Sequence, residues 1–386
     1  MKWFICLFLP LLSGISSLAQ KFTYNQGGTS AKNYYEEIPY ETVNGKLFVY
    51  VEVVGKKAKF LFDTGAPLAV SKELAARSGI IHDNILIDAY GNKDSALVVR
   101  LDSIRLGSLV FKNIPAISGM PDFYKCWDVE GVIGSNLLRN SIVRIDPVGH
   151  LIILTDQADK LGLANKKSIP LIASGIQSDP KIGVLFKGKV NLLLGFDTGD
   201  ASFLRISEDN MDQLKRSGAY EILARGYGSH NFSGSGTERN ADKYLLKVPF
   251  LNVGDGLFQN VVFETFKSTF PAIGSKLLEY GSVTLDYIHG KFYFDAARFT
   301  NDLAGKQWSF QPSFTDNKLV VGVVWEDGEA QVTPGQQIIA VDGIDCRHFS
   351  LCDLLQRGPI LAGKEKVTLT VLDEQGNPKN IQMNKK

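Results

Sequence analysis

The tripeptide Asp-Thr-Gly occurs twice in this chain, at residues 63–65 and 197–199, and each copy directly follows an apolar run. An apolar run that ends in such a tripeptide predicts a buried strand leading into a tight turn. The turns would place the carboxylates of Asp63 and Asp197 at the ends of equivalent strands. Two carboxylates that meet can share a proton, so that one acts as a base and the other as an acid. The repeat therefore predicts two matched half-sites.

The duplication extends beyond the tripeptide. The segment Val132-Ile133-Gly134-Ser135 recurs as Ala272-Ile273-Gly274-Ser275, and an aspartate follows the two glycines at the same distance, as Asp146 and Asp286. Each aspartate lies between two apolar, strand-like runs, so we expect it to shape a hairpin turn rather than to act as a catalytic acid. The period is too long for a solenoid unit and indicates two copies of a whole lobe.

The pattern outside these motifs is typical of mainly antiparallel β-structure with small helices. Strand-like runs such as 47–54 are bounded by turn residues, and helical stretches are predicted at 71–78 and 207–217. After about residue 300 the repeat ends, and short apolar strands with one helical stretch indicate a separate small α+β unit. The predicted organisation is a signal peptide at 1–19, lobes at 20–160 and 161–300, a linker at 301–313 and the α+β unit at 314–386.

The first residues are typical of a secretory signal. Lys2 precedes an apolar run of about ten residues, and the small-x-small sequence Ser17-Leu18-Ala19 follows it. This run is too short to span a bilayer, and no later segment is long and apolar enough. We expect export to the periplasm, the cell surface or the medium, with no stable membrane span; an uncut short anchor is the alternative. The formal net charge of +1 gives no reason to expect a nucleic-acid partner.

Three cysteines, Cys126, Cys346 and Cys352, would remain after the signal is removed. An odd number without paired spacing does not describe a disulfide framework. A Cys346–Cys352 bridge and free buried thiols both stay open.

The residues around each aspartate suit acid–base chemistry. Gly65 and Gly199 lack side chains, so backbone N–H groups can approach the carboxylates closely. Thr64 and Thr198 can lock the two turns through hydrogen bonds from their hydroxyls to the backbone of the opposite lobe. The carboxyl pair would titrate as a unit, its ionised member taking a proton from water and its neutral member donating to a substrate carbonyl. This chemistry requires no metal ion, cofactor or nucleophilic side chain.

The sequence Asp63-Thr64-Gly65-Ala66 after Phe-Leu-Phe, with Val132-Ile133-Gly134 downstream, resembles the retropepsin-like half of an aspartic protease. The two halves together resemble the single-chain, two-lobed arrangement of the pepsin type over residues 20–300. The resemblance implies a mainly β, duplicated-lobe acid-protease β-barrel fold with Asp63 and Asp197 as the catalytic dyad. It implies hydrolysis of peptide bonds in peptides or unfolded proteins, and a dimer is not required because one chain supplies both halves.

Flap hairpins are implied around Tyr90-Gly91 and, in the second lobe, from Tyr227-Gly228 to Gly236, with surface turns as the alternative reading. The C-terminal unit resembles a PDZ domain of the bacterial envelope type at residues 328–330 and 334–343. Gln336 stands where that family usually has Asp, and no Gly-Leu-Gly-Phe-like loop is present to hold a peptide carboxylate. The unit would recruit or regulate substrate.

The two lobes differ directly after the motif, where Ala66 follows the first copy and Asp200 follows the second. A third carboxylate near the dyad would raise its pKa values by repulsion, which would move the active pH upward or damage the second half-site. Alternatively, Asp200 faces solvent. Three functions stay open: an aspartic endopeptidase, a catalytically impaired peptide-binding envelope protein with the same fold, and a scaffold whose PDZ-like unit is the working module. The two retained carboxylates favour the endopeptidase.

Overall fold

The computed structural model describes residues 22–87, 92–230, 232–233, 236–266, 270–326 and 331–386. The predicted signal peptide lies outside these residues. The described chain is mainly β, as expected, and forms two lobes followed by a C-terminal unit. None of its helices has the length and apolar character needed to cross a membrane.

The first lobe is a twisted sheet of antiparallel hairpins with a few short helices. Its strands are β1 (Gly28–Thr29), β2 (Tyr35–Pro39), β3 (Glu41–Val43), β4 (Lys46–Val53), β5 (Lys56–Phe62), β6 (Ala69–Val70), β7 (Gly79–Ile87), β8 (Lys93–Leu106), β9 (Leu109–Ser118), β10 (Val129–Ile133), β11 (Ile142–Asp146) and β12 (Leu151–Thr155). Its helices are α1 (Lys72–Ala75), α2 (Ser135–Leu138) and the 3-10 helices Asp122–Trp127, Ala158–Leu161 and Leu163–Asn165. The main sheet runs in the order β1-β9-β6-β10-β5-β4-β8-β7.

The second lobe repeats this plan. Its strands are β13 (Ile169–Ala173), β14 (Pro180–Phe186), β15 (Val190–Asp197), β16 (Leu204–Ser207), β17 (Glu221–Gly228), β18 (Phe232–Ser233), β19 (Gly236–Thr237), β20 (Ala241–Val253), β21 (Gly256–Phe266), β22 (Ala272–Gly274), β23 (Gly281–Asp286), β24 (Lys291–Ala296) and β25 (Thr300–Asp302). Its helices are α3 (Glu208–Arg216) and the 3-10 helix Ser275–Tyr280. Both predicted helical stretches are present, in shorter form, as α1 and α3.

The lobes are joined by a shared sheet built from equivalent hairpins. The β11–β12 and β23–β24 hairpins lie side by side because β11 pairs antiparallel with β23, from Ile142 opposite Asp286 to Ile145 opposite Val283. Asp146 accepts a hydrogen bond from the N–H of Val148 (3.1 Å), and Asp286 accepts one from His289 (2.9 Å). The two aspartates therefore shape hairpin turns, as predicted.

The apolar runs before the two Asp-Thr-Gly copies form the centre of the core. Phe60, Phe62 and Phe196 are fully buried, and one continuous apolar cluster contains side chains from both lobes. Burial of this kind is worth about 1.5–3 kcal/mol for each large apolar side chain, so these strands hold the turns that follow them firmly in place.

The C-terminal unit contains β26 (Phe310–Thr315), β27 (Lys318–Trp325), β28 (Ile338–Val341), β29 (Ile344–Asp345), α4 (Leu351–Arg357), β30 (Lys366–Leu372) and β31 (Pro378–Asn384). It has its own apolar core, which includes Phe310, Leu369 and Val371. Strand β26 begins inside the segment 301–313 that the sequence suggested as a linker. Strand β27 also pairs with β17 of the second lobe, so the unit continues that lobe's sheet.

The structure corrects the reading of the cysteines. Cys126 and Cys352 form a disulfide between the first lobe and α4, at a sequence separation of 226. Cys346, which had been considered as the partner of Cys352, is a buried free thiol. The Cys346–Cys352 bridge is therefore wrong, whereas a free buried thiol is correct for Cys346 alone. The spacing of cysteines in sequence carries no information about a bond that closes between separate parts of the fold.

Candidate functional site

The two Asp-Thr-Gly turns are held by equivalent strand arrangements. Strand β5 pairs in parallel with β10, and the N–H of Asp63 donates to the carbonyl of Ile133 (3.0 Å). Strand β15 pairs in parallel with β22, which sets Asp197 opposite Gly274. Gly134 and Gly274 allow this packing, because a Cβ on either would lie 2.2 Å from backbone atoms of the loop beyond the turn. The repeated apolar-apolar-Gly segments therefore support the turns from behind.

The glycines of the turns let the two carboxyl groups meet. Oδ1 of Asp63 accepts hydrogen bonds from the N–H groups of Gly65 (2.9 Å) and Ala66 (3.1 Å), and Oδ1 of Asp197 accepts one from the N–H of Gly199 (2.9 Å). A Cβ on Gly65 would lie 2.5 Å from Cγ of Asp197, and one on Gly199 would lie 2.2 Å from Oδ2 of Asp63. Each carboxyl group thus occupies the space beside the opposite glycine, and the structure brings the predicted pair together.

The threonines of the motif lock the turns to each other. The hydroxyl of Thr64 donates to the carbonyl of Phe196 (2.6 Å), and that of Thr198 donates to the carbonyl of Phe62 (2.8 Å). Each hydroxyl also accepts the backbone N–H of the other threonine, at 3.1 Å in both directions. Both side chains are fully buried, so the lock is shielded from water.

The electrostatics of the pair are unequal. Burial, and then the neighbouring charge of Asp197, raise the pKa of Asp63 from its ordinary 3.8 to about 7. Lys46 acts in the opposite direction on the same group. The Lys46 ammonium belongs to the first lobe and donates to the carbonyl of Gly199 in the second. A carboxyl group that stays protonated near neutral pH is suited to donate a proton to a substrate.

Arg205 neutralises the third carboxylate that the sequence placed beside the dyad. Its guanidinium contacts Asp200 through Nε (3.2 Å) and Asp197 through Nη2 (3.0 Å). All three side chains are less than a fifth exposed. Asp200 also accepts the N–H of Ser202 (2.8 Å), so it lies in a paired, mostly buried position rather than facing solvent. The repulsion expected from Asp200 is therefore offset by an arginine.

Tyr124 is another residue of the site that the sequence did not single out. It lies on the 3-10 helix Asp122–Trp127 and stacks on Phe123, with ring centroids 4.6 Å apart. Burial raises the pKa of its phenol, and the charges of Asp63 and Asp197 raise it further. The phenol therefore remains a proton-bearing hydrogen-bond donor beside the dyad.

The structure describes only the second of the two predicted flap segments in part. Tyr90 and Gly91 lie outside the described residues, between β7 and β8, which pair as an antiparallel hairpin. Tyr227 and Gly228 end β17, and the small β18–β19 hairpin follows them. Their role as flaps stays a prediction.

Lys46, Tyr124 and Arg205 escaped the sequence reasoning because nothing local marks them. Arg205 stands where the first lobe has Ala69, since Ala69 pairs with Val132 and Arg205 pairs with the equivalent Ala272. This equivalence is visible only in the strand pairing, because the two residues lie at different distances from their Asp-Thr-Gly motifs in sequence. Among the described residues, no three His, Cys, Asp or Glu side chains are grouped to hold a metal ion.

Similarity to known proteins covers different parts of the chain. Residues 49–137 match a family model described as aspartyl protease. A retropepsin-like aspartic protease from Rickettsia conorii is 25% identical, with 33% of this chain and 94% of that chain covered and a TM-score of 0.25. Conglutin gamma, a basic 7S globulin from lupine seeds, is 11% identical, with 69% and 96% covered and a TM-score of 0.39. Basic 7S globulin from soybean is 11% identical, with 67% and 94% covered and a TM-score of 0.38. No curated protein sequence matches the chain.

The family match supports an aspartic protease family, and hence a peptidase, for the segment that carries the first motif. It begins within β4 and ends within α2, so it contains Asp63 and the supporting Gly134. The second motif lies outside the matched residues and is connected to the first by the internal duplication and by the threonine lock.

Proposed function

We propose that this protein is an aspartic endopeptidase whose Asp63 and Asp197 activate a water molecule to hydrolyse peptide bonds. The observation that carries the proposal is the meeting of the two carboxyl groups, each bonded to the N–H of its own turn glycine and each beside the opposite glycine. A scaffold has no need of two carboxylates in this arrangement, because their mutual repulsion lowers stability.

The steps follow from the protonation of the pair. Ionised Asp197 takes a proton from water while the water oxygen bonds to the carbonyl carbon of the substrate, and Asp63 donates its proton to the carbonyl oxygen. The tetrahedral intermediate then collapses. The C–N bond breaks, the amine nitrogen receives the proton from Asp197, and Asp63 takes a proton from one of the two hydroxyls of the intermediate as its C=O bond re-forms, which releases the carboxylic acid and the amine. Both groups return to their starting states.

Peptides and unfolded proteins are the proposed substrates, with the C-terminal PDZ-like unit recruiting or regulating them. Export by the segment 1–19 is part of the proposal. The Cys126–Cys352 disulfide supports it, because such bonds persist mainly in oxidising compartments outside the cytosol.

A second candidate function is peptide binding without cleavage, by a catalytically impaired envelope protein. The observation that favours it is the contact of Arg205 with Oδ2 of Asp197, since that oxygen would otherwise be available to water.

Cleavage assays on chain lacking residues 1–19 distinguish the two. A peptide library is incubated from acidic to neutral pH with the parent, Asp63→Asn and Asp197→Asn. We expect each substitution to lower the rate by a factor on the order of 10²–10⁴. Asp146→Asn is the matched control, because Asp146 shapes a turn away from the dyad. Cleavage that persists in either Asp63→Asn or Asp197→Asn would contradict the assignment of these residues as the catalytic dyad. Peptide binding by the parent without cleavage at any pH would establish the second candidate function.

A further inference from the structure

We propose that Arg205 is a positioning residue that assigns the negative charge of the carboxyl pair to Asp197 and its proton to Asp63. The proposal rests on the proposed function and adds which carboxyl group is base and which is acid. In a symmetric pair either group can hold the proton. Here one guanidinium contacts one member, at 3.0 Å from Oδ2 of Asp197.

The asymmetry is built into the duplicated core. Arg205 and Ala69 occupy equivalent positions, beside the equivalent residues Ala272 and Val132. The residues directly after the motif differ in the same way. The N–H groups of the equivalent Ser135 and Ser275 donate to the carbonyls of Ala66 (3.0 Å) and Asp200 (2.7 Å). The second lobe thus carries an acid and a base where the first carries two alanines.

The two replacements form one unit. Without Asp200, the guanidinium of Arg205 and the carboxylate of Asp197 would sum to a net charge of about zero. With Asp200 present, the guanidinium faces two carboxylates, and the cluster of Asp197, Asp200 and Arg205 keeps a net charge near −1. The charge that remains lies on the Asp197 side of the pair.

The first lobe also places a charged and a titratable group near the pair. Lys46 reaches the Gly199 carbonyl from the start of β4, and Tyr124 approaches from the 3-10 helix. Lys46 favours ionisation of Asp63 and so opposes the assignment, while the phenol of Tyr124 is neutral. The contact of Arg205 is with Oδ2 of Asp197, at 3.0 Å, and it is this contact that favours the charge on Asp197.

The first test is the pH profile of cleavage. The acidic limb reports protonation of the base. Removing an opposite charge in contact with a carboxylate raises its pKa by about 1–3 units, so Arg205→Ala should move this limb upward by that amount. Arg205→Lys should return the midpoint of the acidic limb most of the way to its value in the parent.

Asp200→Ala/Arg205→Ala copies the first lobe. The midpoint of its acidic limb should lie between those of the parent and Arg205→Ala, because the repulsion of Asp200 is also gone. Arg144→Ala, which breaks a half-buried ion pair with Asp295, is the control and should leave the profile unchanged.

The second test does not depend on turnover. Carboxyl carbons of aspartate are labelled with ¹³C and followed by NMR from about pH 4 to about pH 8. The signals of Asp63 and Asp197 are identified by their absence in Asp63→Asn and Asp197→Asn. In the parent, the Asp63 signal should move over this range and the Asp197 signal should stay that of an ionised group. In Arg205→Ala both should move. Identical titrations in parent and Arg205→Ala would overturn the proposal, and absence of cleavage by the parent would overturn only the proposed function.

A second inference rests on different contacts: the structure assigns the C-terminal unit a role as a clamp that joins both lobes. On the first lobe, α4 is bonded through Cys352 to Cys126, and Nε2 of Gln356 donates to the Cys126 carbonyl (2.6 Å). The Leu355 carbonyl accepts from the indole of Trp127 (3.2 Å). These contacts hold the 3-10 helix that carries Tyr124 beside the dyad.

On the second lobe, the clamp is a strand addition. Strand β27 pairs with β17 from Gly226 opposite Trp325 to Gly228 opposite Val323. Trp325 is buried against Leu245 of β20. Gly226 permits the approach, because a Cβ there would lie 2.5 Å from the Trp325 ring.

A turn of the first lobe completes the junction of all three parts. Nδ2 of Asn44 donates to the Leu355 carbonyl of α4 (2.6 Å), and the carbonyl of Gly45 accepts from the hydroxyl of Ser275 in the second lobe (2.6 Å). Lys46 follows this turn as the first residue of β4 and donates to the carbonyl of Gly199. The C-terminal unit therefore contacts the turn directly before Lys46, the residue that bridges the lobes beside the dyad.

Hydrogen exchange of the full chain tests the clamp, with Cys126→Ser/Cys352→Ser compared with the parent. We expect faster exchange in the 3-10 helix at 122–127 and in the turn at 44–46, as well as in α4. Gly226→Ala should speed exchange in β17 and β27, and Gly175→Ala, where a Cβ meets no atom within 4 Å, should not. Faster exchange confined to the C-terminal unit in both variants would overturn the inference.

Discussion

Thr64 and Thr198 exchange two hydrogen bonds across the lobe boundary, each hydroxyl accepting the backbone N–H of the other residue at 3.1 Å. Because each hydroxyl also donates to the opposite strand, every polar group of the lock is paired inside a fully buried core. The lock makes the position of one aspartate depend on the fold of the other lobe.

Thr64→Val should therefore impair both stability and cleavage. Loss of the hydroxyl leaves a buried N–H and a buried carbonyl without their partner, at about 1–3 kcal/mol each. The measurement is urea unfolding beside cleavage rate under conditions where the variant is folded. Thr155→Val is the matched control, since Thr155 is also buried and bonded to the backbone but lies away from the dyad. Thr155→Val should lose stability and keep the cleavage rate of the parent. An equal loss of cleavage rate in both variants would contradict a specific role of the threonine lock in cleavage.

Gly65→Ala and Gly199→Ala should abolish cleavage. The added Cβ would lie 2.5 Å from Asp197 Cγ or 2.2 Å from Asp63 Oδ2, so the carboxyl groups must move apart. We expect losses comparable to those of the aspartate variants, with circular dichroism showing that the β-structure persists. Gly79→Ala, where a Cβ meets no atom within 4 Å, is the control. Substantial activity in both alanine variants would contradict the described meeting of the carboxyl groups.

Asp63 should make the protein less stable as the pH rises. Folded Asp63 keeps its proton to about pH 7, whereas an unfolded aspartate loses it near 3.8. Between these values the folded state binds more protons, so the stabilisation is complete below about pH 4 and is lost as the pH rises through about 7. Asp63→Asn should consequently melt at a higher temperature than the parent at neutral pH, with little difference at the acidic end.

Calorimetry across this range measures the effect, with the exposed Asp102→Asn as a control that should follow the parent. If the difference in melting temperature between the parent and Asp63→Asn does not change with pH, Asp63 is not the group that holds the proton.

Lys243 and Glu238 form an ion pair deep in the second lobe, 2.8 Å apart with side chains 1% and 6% exposed. Lys243→Met removes the charge that faces a buried carboxylate, which costs about 3–5 kcal/mol. Lys56→Met breaks the exposed pair with Glu130 and should cost less than about 1 kcal/mol. Denaturant unfolding of both variants makes the comparison; similar losses would mean that the buried pair is not a structural element of the lobe.

The sequence predicted the parts of the fold that the duplication marks. Apolar runs before each Asp-Thr-Gly, the repeated apolar-apolar-Gly segments and the turn aspartates all lie where their equivalence indicated. These features are local or repeated, so their environment can be inferred from one copy to the other. Arg205, Lys46 and Tyr124 could not be placed, because their position depends on side chains that meet across lobes.

The disulfide was missed for the same reason. Cys126 and Cys352 come together only when the C-terminal unit has docked, and no spacing rule covers a contact between separately folded parts.

The long separation of these cysteines also sets an order of events during synthesis. Cys126 is made 226 residues before Cys352, so the first lobe must carry an unpaired thiol while the second lobe and most of the C-terminal unit are still being added. Cys346 is made before Cys352 and is the first competing partner to arrive. Once the C-terminal unit folds, Cys346 is buried in its core, and only Cys352 is left on α4 for Cys126. In the folded protein, burial of Cys346 therefore separates the free thiol from the bonded pair.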